Sequence, residues 1–135
     1  MDLLKAMAAS ASGLRAQSVR MRVISENLAN QDSVGSAAGD DPYRRKLVSF
    51  SSVLDGELGA YVVKANKINF DQSDFGKRYD PGNPAADATG YIKTANVNGL
   101  IEMMDMRQAQ RSYQSNLNAM EGTRRMATMT LDLLR

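Results

Sequence analysis

The residues whose type and spacing could do chemistry are two acidic pairs, Asp40-Asp41 and Asp71 with Asp74, and two basic clusters, Arg44-Arg45-Lys46 and Arg124-Arg125. A calcium loop needs alternating oxygen ligands around a glycine and a distal glutamate, and neither acidic stretch supplies them, so both read as solvated loops. No glycine cluster precedes a helix with the spacing of a phosphate cradle. Three adjacent cations fall far short of a nucleic-acid footprint. They read as surface charge flanking an exposed strand, where charge discourages edge pairing; contact with an acidic partner is the sharper alternative. Cysteine and histidine are both absent from the 135 residues. That removes disulfide frameworks, thiolate metal sites, cysteine nucleophiles and every histidine-based triad or zinc site. An enzyme could still be built on carboxylates, lysine or tyrosine, but the expectation is a protein that is not an enzyme, with no catalytic residue, no cofactor, no metal and no small-molecule substrate.

Composition narrows the class further. Apolar residues make up 43% of the chain but aromatics only 6%, and tryptophan is missing, which argues against a large aromatic-packed core. Nine methionines supply bulk instead, and methionine fills irregular gaps while tolerating a sliding partner. The net charge of +2 is the small difference between 17 basic and 15 acidic residues, so no nucleic-acid partner is expected. No stretch approaches the roughly 20 apolar residues of a membrane span. The opening Met1-Asp2-Leu3-Leu4-Lys5 lacks a basic segment followed by a sustained apolar core. The expectation is either a cytosolic protein or one that leaves by a route reading no cleavable signal.

The elements that must position these residues are two terminal helices. Residues 96–135 hold one proline-free helical pattern, with Met103, Met106, Tyr113, Leu117, Met120, Ala127, Leu131 and Leu134 on a 3-4 stepping broken only by Gln110 and Arg124. That stepping keeps one stripe facing a partner helix, as in a coiled coil, over a rod of roughly 57 Å. Gly122 lies inside it and costs about 1 kcal/mol against alanine unless it admits a close neighbour, which is the preferred reading. From Asp2 to about Asn30, Leu4, Met7, Ala11, Leu14, Ser18, Met21, Ser25 and Leu28 repeat the spacing, large residues alternating with small ones. Asn30-Gln31-Asp32-Ser33 stops this helix.

Between the helices, Ser33 to Asp41 reads as a flexible loop closed by Pro42. Tyr43 to Phe50 is a weak strand, Tyr61 to Ala65 a clear one, and Asp55 to Gly59 the economical hairpin connection. Ile68 to Tyr79 is ambiguous. Asp80-Pro81-Gly82-Asn83-Pro84 is a strong turn, Tyr91-Ile92-Lys93 a short strand, and Thr94, Asn96 or Asn98 the cap of the long helix. The predicted fold is mainly α: the N- and C-terminal helices pair as a coiled-coil-like bundle around a small irregular β-containing module. Residues 1–32 and 96–135 would form one discontinuous helical assembly domain and residues 33–95 a loop and small β module. With one partner each, both helices should keep spare apolar surface for other subunits.

Ser25-Glu26-Asn27-Leu28-Ala29-Asn30 resembles the S-x-N-L-A-N segment of the bacterial flagellar axial proteins, which comprise rod, hook and hook-associated members. Pro42-Tyr43-Arg44-Arg45-Lys46, Tyr79 to Pro84, Gly90 to Lys93, Asn96-Val97-Asn98 and Arg111 to Asn116 follow in order and are similar to segments of its proximal-rod members. Two features depart from the family pattern: the small and acidic residues between Gly35 and Pro42, and Gly122. The resemblance implies a structural subunit of the flagellar basal-body proximal rod, which crosses the periplasm. Such a subunit is exported by the flagellar type III apparatus without signal cleavage and polymerises through its terminal helices into drive shaft and export channel. Its partners would be other rod subunits, copies of itself and the export apparatus. The implied subunit interface comprises Leu4, Met7, Leu14, Met21 and Leu28 on the first helix, with Met103, Met106, Tyr113, Leu117, Met120, Leu131 and Leu134 on the second. Asn27 and Asn30 form a helix-end motif whose amides either tie down the following turn or cap the helix. The competing expectation is a soluble coiled-coil adaptor, or a type III secreted effector, that builds no polymer.

Overall fold

Two helices bracket two small sheets in the computed structural model, which describes residues 3–133. Helix α1 runs Leu3–Ala29, strands β1 to β4 run Lys46–Asp55, Ala60–Phe70, Gly76–Tyr79 and Tyr91–Thr94, and helix α2 runs Gly99–Leu133. The expected mainly helical chain with a β-containing middle is present. The ambiguous stretch 68–79 holds the end of β2, a connection over residues 71–75 and the whole of β3.

The helix ends are set by asparagines. Asn30 closes α1: its backbone N–H reaches the carbonyls of Glu26 and Asn27, both at 3.2 Å, and its Nδ2 donates to the Glu26 carbonyl at 2.8 Å. Carbonyls that the last turn would otherwise leave without partners are thereby satisfied. Asn98 opens α2, its Oδ1 accepting the N–H groups of Leu100 at 3.0 Å and Ile101 at 3.3 Å. Of the three candidate caps it is the one whose side chain meets the first free donors.

Strands β1 and β2 pair, and a connection of only residues 56–59 makes them an antiparallel hairpin. The Asp55 carboxylate accepts the N–H groups of Glu57 and Leu58, and Gly59 closes the turn at φ 57°, a left-handed conformation that glycine adopts without a Cβ penalty. Strands β3 and β4 pair antiparallel from Gly76 opposite Thr94 to Tyr79 opposite Tyr91, and the two tyrosine rings meet edge to face at 5.3 Å. Val34, in the segment read as a flexible loop, bridges to Thr94.

The chain divides into two compact units. The first comprises residues 1–21, 48–67 and 107–135. Its described core is small: Ala16, Val62, Ala109 and Thr123 are buried, and Thr123 satisfies its hydroxyl on the Ala119 carbonyl at 2.9 Å. Buried Gly13 lies against Asn116, so that a Cβ there would stand 2.7 Å from the Asn116 amide nitrogen. The second unit comprises residues 22–47 and 68–106. It buries Val23, Ile24, Ala85, Ile92 and Ala95, and with them the polar side chains of Asn27 and Glu102.

Candidate functional site

Asn27 stands on the last turn of α1 with 1% of its surface exposed. Its Nδ2 donates to the Lys46 carbonyl at 2.9 Å and to Glu102 Oε2 at 3.1 Å, while its Oδ1 accepts the Lys46 N–H at 2.9 Å and the Tyr43 hydroxyl at 2.8 Å. An amide has two hydrogens and two lone pairs to offer, and here all four are used. Burial without such partners would cost about 1–3 kcal/mol for each group left unmade. Burial also pushes the Tyr43 hydroxyl above its ordinary pKa.

Glu102, on the first turns of α2, is also 1% exposed and is reached by the Arg45 Nε at 2.5 Å. The same guanidinium lies 3.5 Å from Asp71 and 3.6 Å from Asp105. Burial works against its charge, but the hydrogen bond and charge of Glu102, then those of Asp71, more than offset this and raise its pKa. The Arg45 backbone N–H donates to Asn96 Oδ1 at 2.7 Å, and Asn96 Nδ2 reaches the carbonyls of Asp71 and Ser73. The reading of Arg44-Arg45-Lys46 as surface charge is therefore corrected. Arg44 stacks on the Phe75 ring at 4.2 Å and donates to the Asp71 carbonyl, Arg45 holds three carboxylates, and Lys46 pairs with Glu26 at 3.0 Å. The cause is long-range: acids from α1, α2 and the 71–74 turn converge where β1 begins. Among the described residues no cluster of three acidic side chains could hold a metal. The cluster locks helix ends to strand.

The two members of the helix-end motif have separate jobs. Asn27 ties α1 to the start of β1, and Asn30 caps the helix. Of the seam residues, Leu4, Met103 and Leu131 are exposed, and Met7, Leu14, Met21, Leu28, Met106, Tyr113, Leu117 and Met120 are partly buried. Leu134 lies outside the described residues. The most buried row of α2 is instead Glu102, Ala109 and Thr123, with partly buried Asn116 completing the seven-residue spacing. Counting apolar residues alone passes over that row, because its members are small or polar; a seven-residue count that admitted them would find it. At Gly122 no close neighbour comes from the chain itself. A Cβ there would meet nothing within 4 Å, whereas the tight approach in the first unit is at Gly13.

Away from that row α2 presents Leu100, Ile101, Met104, Met126, Met129 and Leu133, each at least half exposed. Among the described residues no helix is long and apolar enough to cross a membrane.

Comparison with known proteins gives two family matches and a set of full-length relatives. Residues 7–35 match the family model described as flagella basal body rod protein, and residues 88–133 that described as flagellar basal body rod FlgEFG protein C-terminal. The chain is 52% identical to flagellar basal-body rod protein FlgC of Agrobacterium fabrum, over 100% of its own length and 98% of the relative's. It is 42% identical to the protein of that name from Bacillus subtilis, over 92% and 93% of the two chains. For the Salmonella typhimurium protein the identity is 40%, over 98% of each. The two matched segments hold Asn27, Asn30 and Glu102.

Proposed function

Because the chain belongs to the flagellar basal-body rod protein family, we propose that it assembles through its terminal helices with copies of itself and with other rod subunits. It is a structural subunit of the bacterial flagellar basal-body rod and not an enzyme. In this reading residues 1–32 and 96–135 work together as the assembly domain, packing around an export channel in the proximal part of the shaft. The chain reaches that place through the flagellar type III apparatus without loss of a signal peptide, and the rod it joins crosses the periplasm.

One observation carries the assembly reading: α2 leaves an apolar face uncovered, from Leu100 at 70% exposure to Leu133 at 87%. About 25 cal/mol is gained for each Å² of such surface removed from water, so covering it by neighbouring subunits drives association. The contact is heterologous, because one patch meets a different patch on the next subunit, and heterologous contacts that fail to close propagate as a helical filament. The Asn27 and Glu102 cluster supplies stiffness, since a fully satisfied buried polar network rigidifies what it joins.

The test replaces two residues of that uncovered face, Leu100→Asp with Met104→Asp, which leaves the buried row untouched. The variant is expected to unfold like the parent in isolation yet to be missing from purified basal bodies, with motility lost. Normal incorporation and swimming would remove that face as an assembly surface.

A further inference from the structure

In the first unit, α1 and the β1–β2 hairpin enclose an open groove of about 490 Å³. Its apolar wall runs from Ala8 and Ala11 to Val19 on the helix side, with the branched Leu58, Val62 and Val63 on the hairpin side. We propose that this groove receives the last turns of α2 from a second copy of the chain. The proposal deepens the rod-subunit reading, and rests on it, by naming the surfaces that meet.

Three observations point to that occupant. Met126, Met129 and Leu133 follow one another at helical spacing on one face of α2, and they are 51%, 64% and 87% exposed, so they do not fill their own chain's groove. Long, unbranched methionine side chains suit the alanines of the helix side, because large residues interdigitate with small ones and flexible ones fit between branched neighbours. Charge agrees as well. Arg15 and Lys64 line the groove, and among the described residues neither has an ion-pair partner; Asp132 flanks the Met129 and Leu133 ridge and has none either. Asp55 lines the groove too, but its carboxylate already accepts two N–H groups of its own turn. Arg125, seven residues before Asp132 and roughly 10 Å along the helix, already lies 3.9 Å from Glu121. The complementary charges are therefore Asp132 against Arg15 and Lys64. Opposite signs thus stand on the two surfaces, as a docked pair requires. Groove and ridge are different patches of one sequence, so each copy offers both, and the contact repeats from copy to copy.

The chain contains no cysteine, so an introduced pair reports the contact without background. Ala11→Cys combined with Met129→Cys is expected to give, on mild oxidation of purified basal bodies, a ladder of disulfide-linked copies. Ala11→Cys combined with Leu131→Cys, on another face of α2, is expected to give none. Absence of linked copies from basal bodies that contain the first pair at the parent level would overturn the proposal while leaving the rod-subunit reading intact. Absence of the unaltered chain from basal bodies would overturn that reading itself. If the cysteine pair prevents incorporation, charge reversal decides instead. Asp132→Lys should reduce incorporation about two- to fivefold, the effect of an exposed ion pair, and adding Arg15→Glu with Lys64→Glu should restore it. No change on reversal, or no recovery in the triple variant, would overturn the contact.

Discussion

The side-chain amide of Asn27 lies against the backbone of Lys46 as a neighbouring strand would, donating to its carbonyl and accepting its N–H, each at 2.9 Å. One residue at the end of α1 thereby fixes where β1 starts. Its two remaining valences go to the Glu102 carboxylate and the Tyr43 hydroxyl, which joins three elements through a single buried group.

Replacing Asn27 should therefore cost more than a surface substitution. Asn27→Ala leaves the Lys46 N–H and carbonyl and the Tyr43 hydroxyl without their partner, and it deprives Glu102 of one donor. A loss of about 3 kcal/mol is expected, at the upper end of common point substitutions. Asn27→Asp keeps the shape but sets a second negative charge beside Glu102 and should fall at least as far. Urea unfolding of the purified chain measures both, and a loss under 1 kcal/mol for either would show that the network contributes little.

Stability should form a plateau with a falling limb at each end of the pH scale. Hydrogen bonds from the Ser73 backbone and hydroxyl, and then Arg45, hold the Asp71 carboxyl below its ordinary 3.8. A depressed carboxyl contributes above its unfolded value, and that contribution is lost as pH falls through the folded one. At the alkaline end, burial raises Tyr43 above 10.0, and the hydrogen bond to Glu26 raises Lys46 above 10.5. Raised groups contribute fully below their unfolded values and lose that contribution as pH rises. Unfolding midpoints read across pH should accordingly drop below about 4 and above about 10. Asp71→Asn should flatten the acid limb and Tyr43→Phe the alkaline one; unchanged limbs would remove these groups as the cause.

The two glycines inside the helices should respond to alanine with opposite signs. Gly13→Ala forces the Asn116 amide aside and should lower stability by about 1 kcal/mol, the small end of overpacking. Gly122→Ala meets open space and should raise it by roughly 0.5–1 kcal/mol, because alanine loses less backbone entropy in a helix. Thermal unfolding of the two variants side by side settles the sign, and a destabilising Gly122→Ala would mean that a neighbour within the chain covers that face.

What could be read from the sequence was local. The 3-4 stepping of methionine and leucine marked both helices, Asp55 to Gly59 marked the hairpin turn, Asn98 was among the proposed caps, and the ordered segments beginning with Asn27-Leu28-Ala29-Asn30 pointed to the family. Each of these depends on residues within a few positions of one another, where propensity and periodicity act. The partners of Arg45, the full coordination of Asn27 and the central row of α2 were decided by tertiary structure alone. Asn27 and Glu102 are 75 residues apart, and no local preference relates them. A glutamate reads as solvated until folding surrounds it with a guanidinium and an amide, and the spacing of Glu102, Ala109, Asn116 and Thr123 counts as a buried row only once another surface covers it. Burial of polar groups is a property of the company they keep, and the chain acquires that company only when distant segments meet.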